Sequence, residues 1–211
     1  KFALLLPQQG SSNNIKRCFN WYSADDSTRG SGETLSIKNM INSLKEKLGS
    51  KEIYVIGLSA GGAMASGMLA NYPALFTGGA VVAGIPFPCA DGLMQGISCM
   101  RNGPSQTAEE LVTRVKKLNP QQKTWPKLSV WTGEKDSIVN PLNASMLAQQ
   151  WANLSTVERK PIINKKSGYT ITRWQNSAKE TLVELIEVSN RDHGIMVNLQ
   201  VENGGEESDY V

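Results

Sequence analysis

A single histidine, three scattered cysteines and no lysine or arginine run longer than two residues narrow what this chain does before any motif is considered. One imidazole and three thiols without ligand spacing give no basis for a metal site, so none is expected. A net charge of +3 spread over 211 residues provides no basic stripe of the kind that tracks phosphates, and nucleic acid is not expected as a partner. No apolar stretch approaches the roughly 18 residues of a membrane span. KFALLLP, at the start, is too short for the core of a signal peptide, carries no cleavage site, and reads as a strand over Phe2 to Leu6. What is present is a hydrophobic content of 40%, enough for one globular domain with a sizeable core. No internal repeat, low-complexity tract or linker divides the chain, so residues 1–211 read as one domain.

Short apolar runs bounded by turn residues alternate with amphipathic stretches, an α/β signature. Glu33 to Leu48 places Ile37, Met40, Ile41, Leu44 and Leu48 on one helical face, with Gly49 as the stop. Glu52 to Leu58 is nearly continuously apolar and reads as a strand buried on both faces. Ala60 to Asn71 reads as a helix of small residues ended by Pro73. Further strands are expected at Gly79 to Ile85, Lys127 to Thr132 and Thr181 to Val188, and helices at Thr107 to Leu118 and Pro141 to Leu154. The chain opens without an initiator methionine on residues that read as the interior of a fold. A missing N-terminal segment is therefore expected, and the polar, acidic end VENGGEESDYV allows truncation there too.

GLSAGG, Gly57 to Gly62, lies between a buried strand and a small-residue helix, the context of a nucleophile elbow. A serine in such a turn is strained, and a side chain at Gly57 or Gly61 is expected to collide with neighbouring backbone. The helix aims its N-terminal amides at the serine, so the Ala60 N–H is the expected oxyanion donor. A serine hydroxyl needs a base, and His193 is the one imidazole the chain offers. It follows the last strand, at the sheet end where open α/β folds place ligands. The acid is expected between the two in chain order, and Asp136, just past the strand Lys127 to Thr132, is the candidate, with Glu134 its rival on the same loop. Asp192 is a poor orienter, because a residue adjacent to the histidine hardly reaches its Nδ1. Ser59, Asp136 and His193 thus stand in α/β-hydrolase order.

FALLLPQQGSSNNIKRCFNWYSADDSTRGSGETLSI, YVIGLSAGGAMASGMLANYP, AGIPFPCA and WTGEKDSIVNPLNA together resemble the polyhydroxybutyrate depolymerase-type esterase family, which has feruloyl and acetylxylan esterase relatives. The resemblance runs from about Phe2 to His193. It implies an α/β-hydrolase fold, a mostly parallel central sheet with helices on both faces, and a secreted serine hydrolase, extracellular or periplasmic, acting on carboxylic esters. It maps nucleophile, acid and base onto Ser59, Asp136 and His193, and places Trp21 and Tyr22 on a loop near the active-site rim. The implied substrate is an ester, either an insoluble polyester such as a polyhydroxyalkanoate, an esterified polysaccharide, or a small soluble ester. No cofactor is required by such chemistry. The family also carries a His-Gly segment upstream of Phe2 to Leu6 that supplies a second oxyanion amide, and that segment is expected in the intact protein.

In a secreted chain three cysteines leave one over. Cys89 and Cys99 flank a short loop and are the expected pair, a bridge worth roughly 3 kcal/mol by loop entropy. For Cys18 the resemblance implies a partner upstream. Of the five tryptophans, Trp125, Trp131 and Trp151 read as core, whereas Trp21 sits in a polar loop, NWYSADD, and is the candidate to line an ester-binding cleft. Two other readings share these residues: a hydrolase-fold protein that binds without cleaving, and a peptidase or thioesterase that differs only in leaving group.

Overall fold

The structure, a computed structural model, describes residues 2–157, 160–198, 200–202 and 204–206. Along the chain run α1 (Ala24–Ser27), α2 (Gly32–Leu48), β1 (Tyr54–Leu58), α3 (Ala60–Asn71), β2 (Gly78–Val82), α4 (Leu93–Asn102), α5 (Ala108–Leu118), β3 (Lys127–Gly133), α6 (Leu142–Leu154), β4 (Ile162–Lys166), β5 (Tyr169–Gln175) and β6 (Thr181–Val188). The helix ends follow local chemistry. Lys45 and Lys47 lie in the last turn of α2, where the helix dipole favours cations, and Gly49 closes it at φ 64°. Thr107 and Glu110 form a reciprocal capping box at the start of α5.

The six strands form one sheet in the order β1-β2-β3-β6-β5-β4. The first four in that order run parallel, and β5 and β4 add an antiparallel ribbon at one edge. α3 packs on β1 and β2, and α6 on β3 and β6. Their side chains Met68, Leu69, Leu147 and Trp151 bury against Val81, Val130, Val183 and Leu185. The Trp151 indole is fully buried, donates to the Pro126 carbonyl at 2.7 Å and meets the Trp125 ring edge-on, as expected of a core tryptophan.

Three expectations are corrected here. Phe2 to Leu6 forms no strand, and Phe2, Leu4 and Leu6 are 70–88% exposed. An extended segment persists only where its backbone groups find a ladder partner, and none of the six strands pairs with it. β1, read as buried on both faces, is an edge strand with Tyr54 60% and Ile56 71% exposed. The same two residues show that helices cover both faces no further than one: among the described residues the helices pack on the Val55, Val81 and Val130 side, while Ile56 shares the other side with Ala80, Ser129 and Glu184. The β4–β5 hairpin, α1 and α4 were not anticipated. The polar NKKSG, Asn164 to Gly168, conceals the hairpin, whose β4 is exposed along nearly its whole length.

Because β1, β3 and β6 are parallel, the loops that leave their C-terminal ends emerge at the same edge of the sheet. Those loops carry Ser59, Asp136 and His193.

Candidate active site

Ser59 sits at the junction of β1 and α3 with φ 55° and ψ −121°, a conformation that a non-glycine residue adopts only when its surroundings hold it there. They do so through two backbone bonds: Ser59 N–H donates to the Val82 carbonyl at 3.0 Å, and its own carbonyl accepts from Ala63 N–H at 2.9 Å. α3 approaches the sheet closely because its first turn is glycine and alanine. A Cβ on Gly62 would lie 3.0 Å from the carbonyl oxygens of both Gly57 and Val82. The expected collision is found at Gly57, where an added Cβ would fall 2.7 Å from the Gly62 nitrogen and closer still to the Gly61 carbonyl. At Gly61 it is not found: an added Cβ meets open space, because that position faces away from the strand.

The His193 Nε2 lies 2.9 Å from Ser59 Oγ, and its Nδ1 lies 2.9 Å from Asp136 Oδ2 and 3.1 Å from Oδ1. Asp136 is in turn fixed by its own turn, its Oδ1 accepting from the N–H groups of Ile138 at 3.0 Å and Val139 at 2.8 Å. The side chains of Asp136 and His193 are 0% and 6% exposed, so their bond is shielded from water on a surface that stays open at Ser59. Ala60 is the first residue of α3, and its N–H therefore has no acceptor within the helix. Glu134, the rival acid, is exposed, with its N–H tied to the Val188 carbonyl. Burial, and then the Glu134 carboxylate, push the Glu187 carboxyl above its ordinary value.

Trp21 and Tyr22 stand beneath α4. Their rings meet edge-on at 5.6 Å, Trp21 packs against the core, and a Cβ on Gly96 of α4 would lie 2.7 Å from the Tyr22 Cβ. Neither bonds to Ser59, Asp136 or His193. α4 is stapled by the Cys89–Cys99 disulfide, the pairing expected from the sequence, while Cys18 is exposed and unbridged among the described residues. α4 also touches the segment after Asp136: Asn143 donates to the Cys99 carbonyl at 2.9 Å and Asn140 N–H to the Met100 carbonyl at 2.9 Å. Asn143 and Asn153 each begin an Asn-x-Ser glycosylation sequon; Asn143 is fully buried, so only Asn153 is exposed.

A model of the family described as Esterase PHB depolymerase matches residues 1–170. The chain belongs to that family. Poly(3-hydroxyalkanoate) depolymerase C of Paucimonas lemoignei is 35% identical over 202 residues, covering 94% of this chain and 49% of that protein. Feruloyl esterase B of Thermothelomyces thermophilus is 30% identical over 166 residues, covering 74% of this chain and 56% of its own. The chain spans about half the length of these relatives. Among solved structures, the acetyl xylan esterase from Aspergillus awamori superposes with a TM-score of 0.74 at 22% identity, covering 84% of this chain and 68% of that one, a likeness of fold. With these likenesses the sheet and its helices are an α/β-hydrolase-like fold.

Two features of this PHB depolymerase-family chain escaped the sequence reading. The RGSGE segment ends in Glu33, a buried carboxylate that accepts from Asn20 N–H at 2.8 Å, from Asn13 Nδ2 at 2.9 Å and from Gln9 Nε2, and so fastens the Asn20–Tyr22 segment to the first turn of α2. Burial pushes its carboxyl above the ordinary value despite those donors. Asp192, set aside as an orienter of the imidazole, indeed makes no bond to the ring. It bonds instead across the loops to Ser137, and the Ser137 N–H, followed by the His193 N–H, holds its carboxyl below the ordinary value. Glu33 had a signal, a charged residue in a helix first turn behind a Gly-Ser-Gly run, but nothing in the sequence says that it is buried.

Proposed function

We propose that this chain is the catalytic part of a serine esterase that hydrolyses carboxylic esters through an acyl-enzyme, with a polyhydroxyalkanoate polyester as substrate class. The observation that carries the reading is the continuous relay from Asp136 through both nitrogens of His193 to Ser59 Oγ. In that relay His193 Nε2 takes the Ser59 proton as Oγ bonds to the ester carbonyl carbon, while Nδ1 keeps its proton and donates it in a hydrogen bond to Asp136, which holds the tautomer and balances the imidazolium. The tetrahedral oxyanion is met by the Ala60 N–H. As the intermediate collapses the ester C–O bond breaks, and the alcohol leaves with the proton from Nε2. Water then attacks the acyl carbon while Nε2 accepts its proton, the bond to Oγ breaks as Oγ takes that proton back from Nε2, and the carboxylic acid departs with Ser59 and His193 restored. Each such proton transfer at a positioned imidazole is worth about 10²- to 10⁴-fold.

Polyester is favoured over the polysaccharide esters on two grounds. A relative matching 94% of this chain is named a poly(3-hydroxyalkanoate) depolymerase, and the site end of the molecule displays apolar side chains. Leu93, Met94 and Ile97 on α4, with Ile138 and Leu142 on the segment that touches it, are 37–77% exposed, a surface suited to an apolar solid. Trp21 and Tyr22 serve this surface from below, as the floor under α4. The disulfide supports secretion. No helix of the described residues is long and apolar enough to cross a membrane.

A second reading, a feruloyl or acetylxylan esterase, draws on the other relatives. Release of 3-hydroxybutyrate from a polyester film, measured beside release of ferulate and acetate from esterified xylan with the full-length protein and Ser59→Ala, separates the two. Polyester turnover abolished in Ser59→Ala is expected. Turnover confined to the xylans would overturn the substrate class, and no turnover with any ester would favour a protein that binds without cleaving.

A further inference from the structure

We propose that Asp192 is a positioning residue that sets the separation of the acid and base loops, a role that rests on the esterase reading of Ser59, Asp136 and His193. Asp136 and His193 are 57 residues apart and hang from the ends of two neighbouring parallel strands. On one side of the pair the loops are laced by backbone, with Glu134 N–H donating to the Val188 carbonyl and Lys135 N–H to the Arg191 carbonyl, both at 2.9 Å. Beyond Asp136 that lacing stops, and Asp192 takes over. Its Oδ1 accepts from Ser137 N–H at 2.7 Å, from Ser137 Oγ at 2.9 Å and from His193 N–H at 2.7 Å, and its Oδ2 lies 3.1 Å from Ser137 Oγ.

The two amides it grips are informative. Ser137 N–H belongs to the peptide bond that leaves Asp136, and His193 N–H to the one that enters His193. One carboxylate oxygen therefore fixes two peptide planes, each adjacent to a catalytic Cα. The residue after the acid is bolted to the residue before the base, and the Nδ1 to carboxylate distance follows from that bolt rather than from the Asp136–His193 bond alone. Asp192 and Ser137 are exposed, so the clamp lies outside the shielded bond it controls and can be altered without opening the core. Charge-assisted bonds to backbone N–H are among the stronger ones a surface carboxylate makes.

The test uses full-length protein with Asp192→Ala, Asp192→Asn, Ser137→Ala and the Asp192→Ala/Ser137→Ala double variant. Loosening the pair by a fraction of an ångström is expected to lower kcat about tenfold in Asp192→Ala, below the ~10²-fold of a full 1 Å misplacement, with KM within about twofold. Asp192→Asn keeps an acceptor oxygen for both amides and is expected to recover kcat to within about threefold of wild type. Ser137→Ala loses only the hydroxyl donor and is expected to cost less than Asp192→Ala, and the double variant no more than Asp192→Ala, since both act on one clamp. An unchanged kcat in Asp192→Ala, or an Asp192→Asn as impaired as the alanine variant, overturns the proposal.

A second readout is independent of turnover. The Nδ1–H proton of His193, identified in the NMR spectrum by its disappearance in His193→Gln, is expected to be protected in wild type and to exchange faster in Asp192→Ala. An unaltered exchange rate contradicts the clamp. A wild type that turns over no ester but shows this same difference would overturn the esterase reading and leave the clamp standing.

Discussion

Replacing Gly57 by alanine tests whether the serine's position is dictated by the close approach of α3 to β1. The added Cβ would sit 2.7 Å from the Gly62 nitrogen, and closer to the Gly61 carbonyl, where ordinary contact begins at 3.4 Å. Both neighbours are backbone, so no side-chain rotation relieves the clash. The first turn of α3 must retreat by at least about 0.7 Å, the difference between 2.7 and 3.4 Å, and Ser59 and Ala60 retreat with it. Overpacking of this kind costs about 1–3 kcal/mol of stability. On the proposed mechanism, a shift approaching 1 Å in Ser59 Oγ, away from the place where it lies 2.9 Å from His193 Nε2, is expected to lower kcat by around 10²-fold. Gly61→Ala is the control for composition: its Cβ meets open space, and alanine is favoured over glycine inside a helix by roughly 0.5–1 kcal/mol. Thermal unfolding followed by circular dichroism, with ester hydrolysis measured on the same preparations, reads both effects. Gly57→Ala is expected to melt lower and Gly61→Ala at or above wild type. Equal melting temperatures and equal kcat for wild type and Gly57→Ala would refute the steric account of the elbow.

Glu33 predicts a pH dependence of stability. Its carboxyl titrates above the ordinary 4.5 in the folded chain, so between that value and its folded pKa the folded state holds the extra proton and stability falls as pH rises. Glu33→Gln does not titrate, and its melting temperature relative to wild type is expected to improve as pH is raised from 4.5 through that window; a constant difference would contradict the assignment. Glu33→Ala leaves three donors without their acceptor and is expected to cost about 2–4 kcal/mol, read by urea unfolding. The Cys89→Ser/Cys99→Ser variant is expected to lose about 2–3 kcal/mol, with amide exchange accelerated first in α4, since the bridge closes a ten-residue loop around its start.

The strands that line the site were legible because each is a short apolar run bounded by turn residues. β6 was expected at Thr181 to Val188 and is found there, and α3 was expected at Ala60 to Asn71 and is found there. Boundaries elsewhere shift by one to three residues. Ser59, Asp136 and His193 were nominated from chain order and strand ends, and the parallel sheet is what brings their loops to one edge. What stayed hidden depends on neighbours that are distant in sequence. Apolarity alone made Phe2 to Leu6 a strand and β1 a buried one, but a strand's state is decided by whether another lies beside it. β4 is largely exposed, and β5, YTITRWQ, buries Thr172 and Trp174 without a continuous apolar run to betray it. The Glu33 cluster and the Asp192–Ser137 clamp join residues 13 to 55 positions apart, and hydrogen bonding across such distances leaves no local pattern.

The central claim is that Ser59 is an activated nucleophile. Incubation of the full-length protein with a fluorophosphonate, followed by peptide mass spectrometry, measures this directly. One phosphonyl group per chain on the peptide bearing Ser59 is expected, with labelling lost in Ser59→Ala and slowed by at least about 10²-fold in His193→Gln. Labelling that is absent from folded wild-type protein, or that persists undiminished in His193→Gln, would contradict the account.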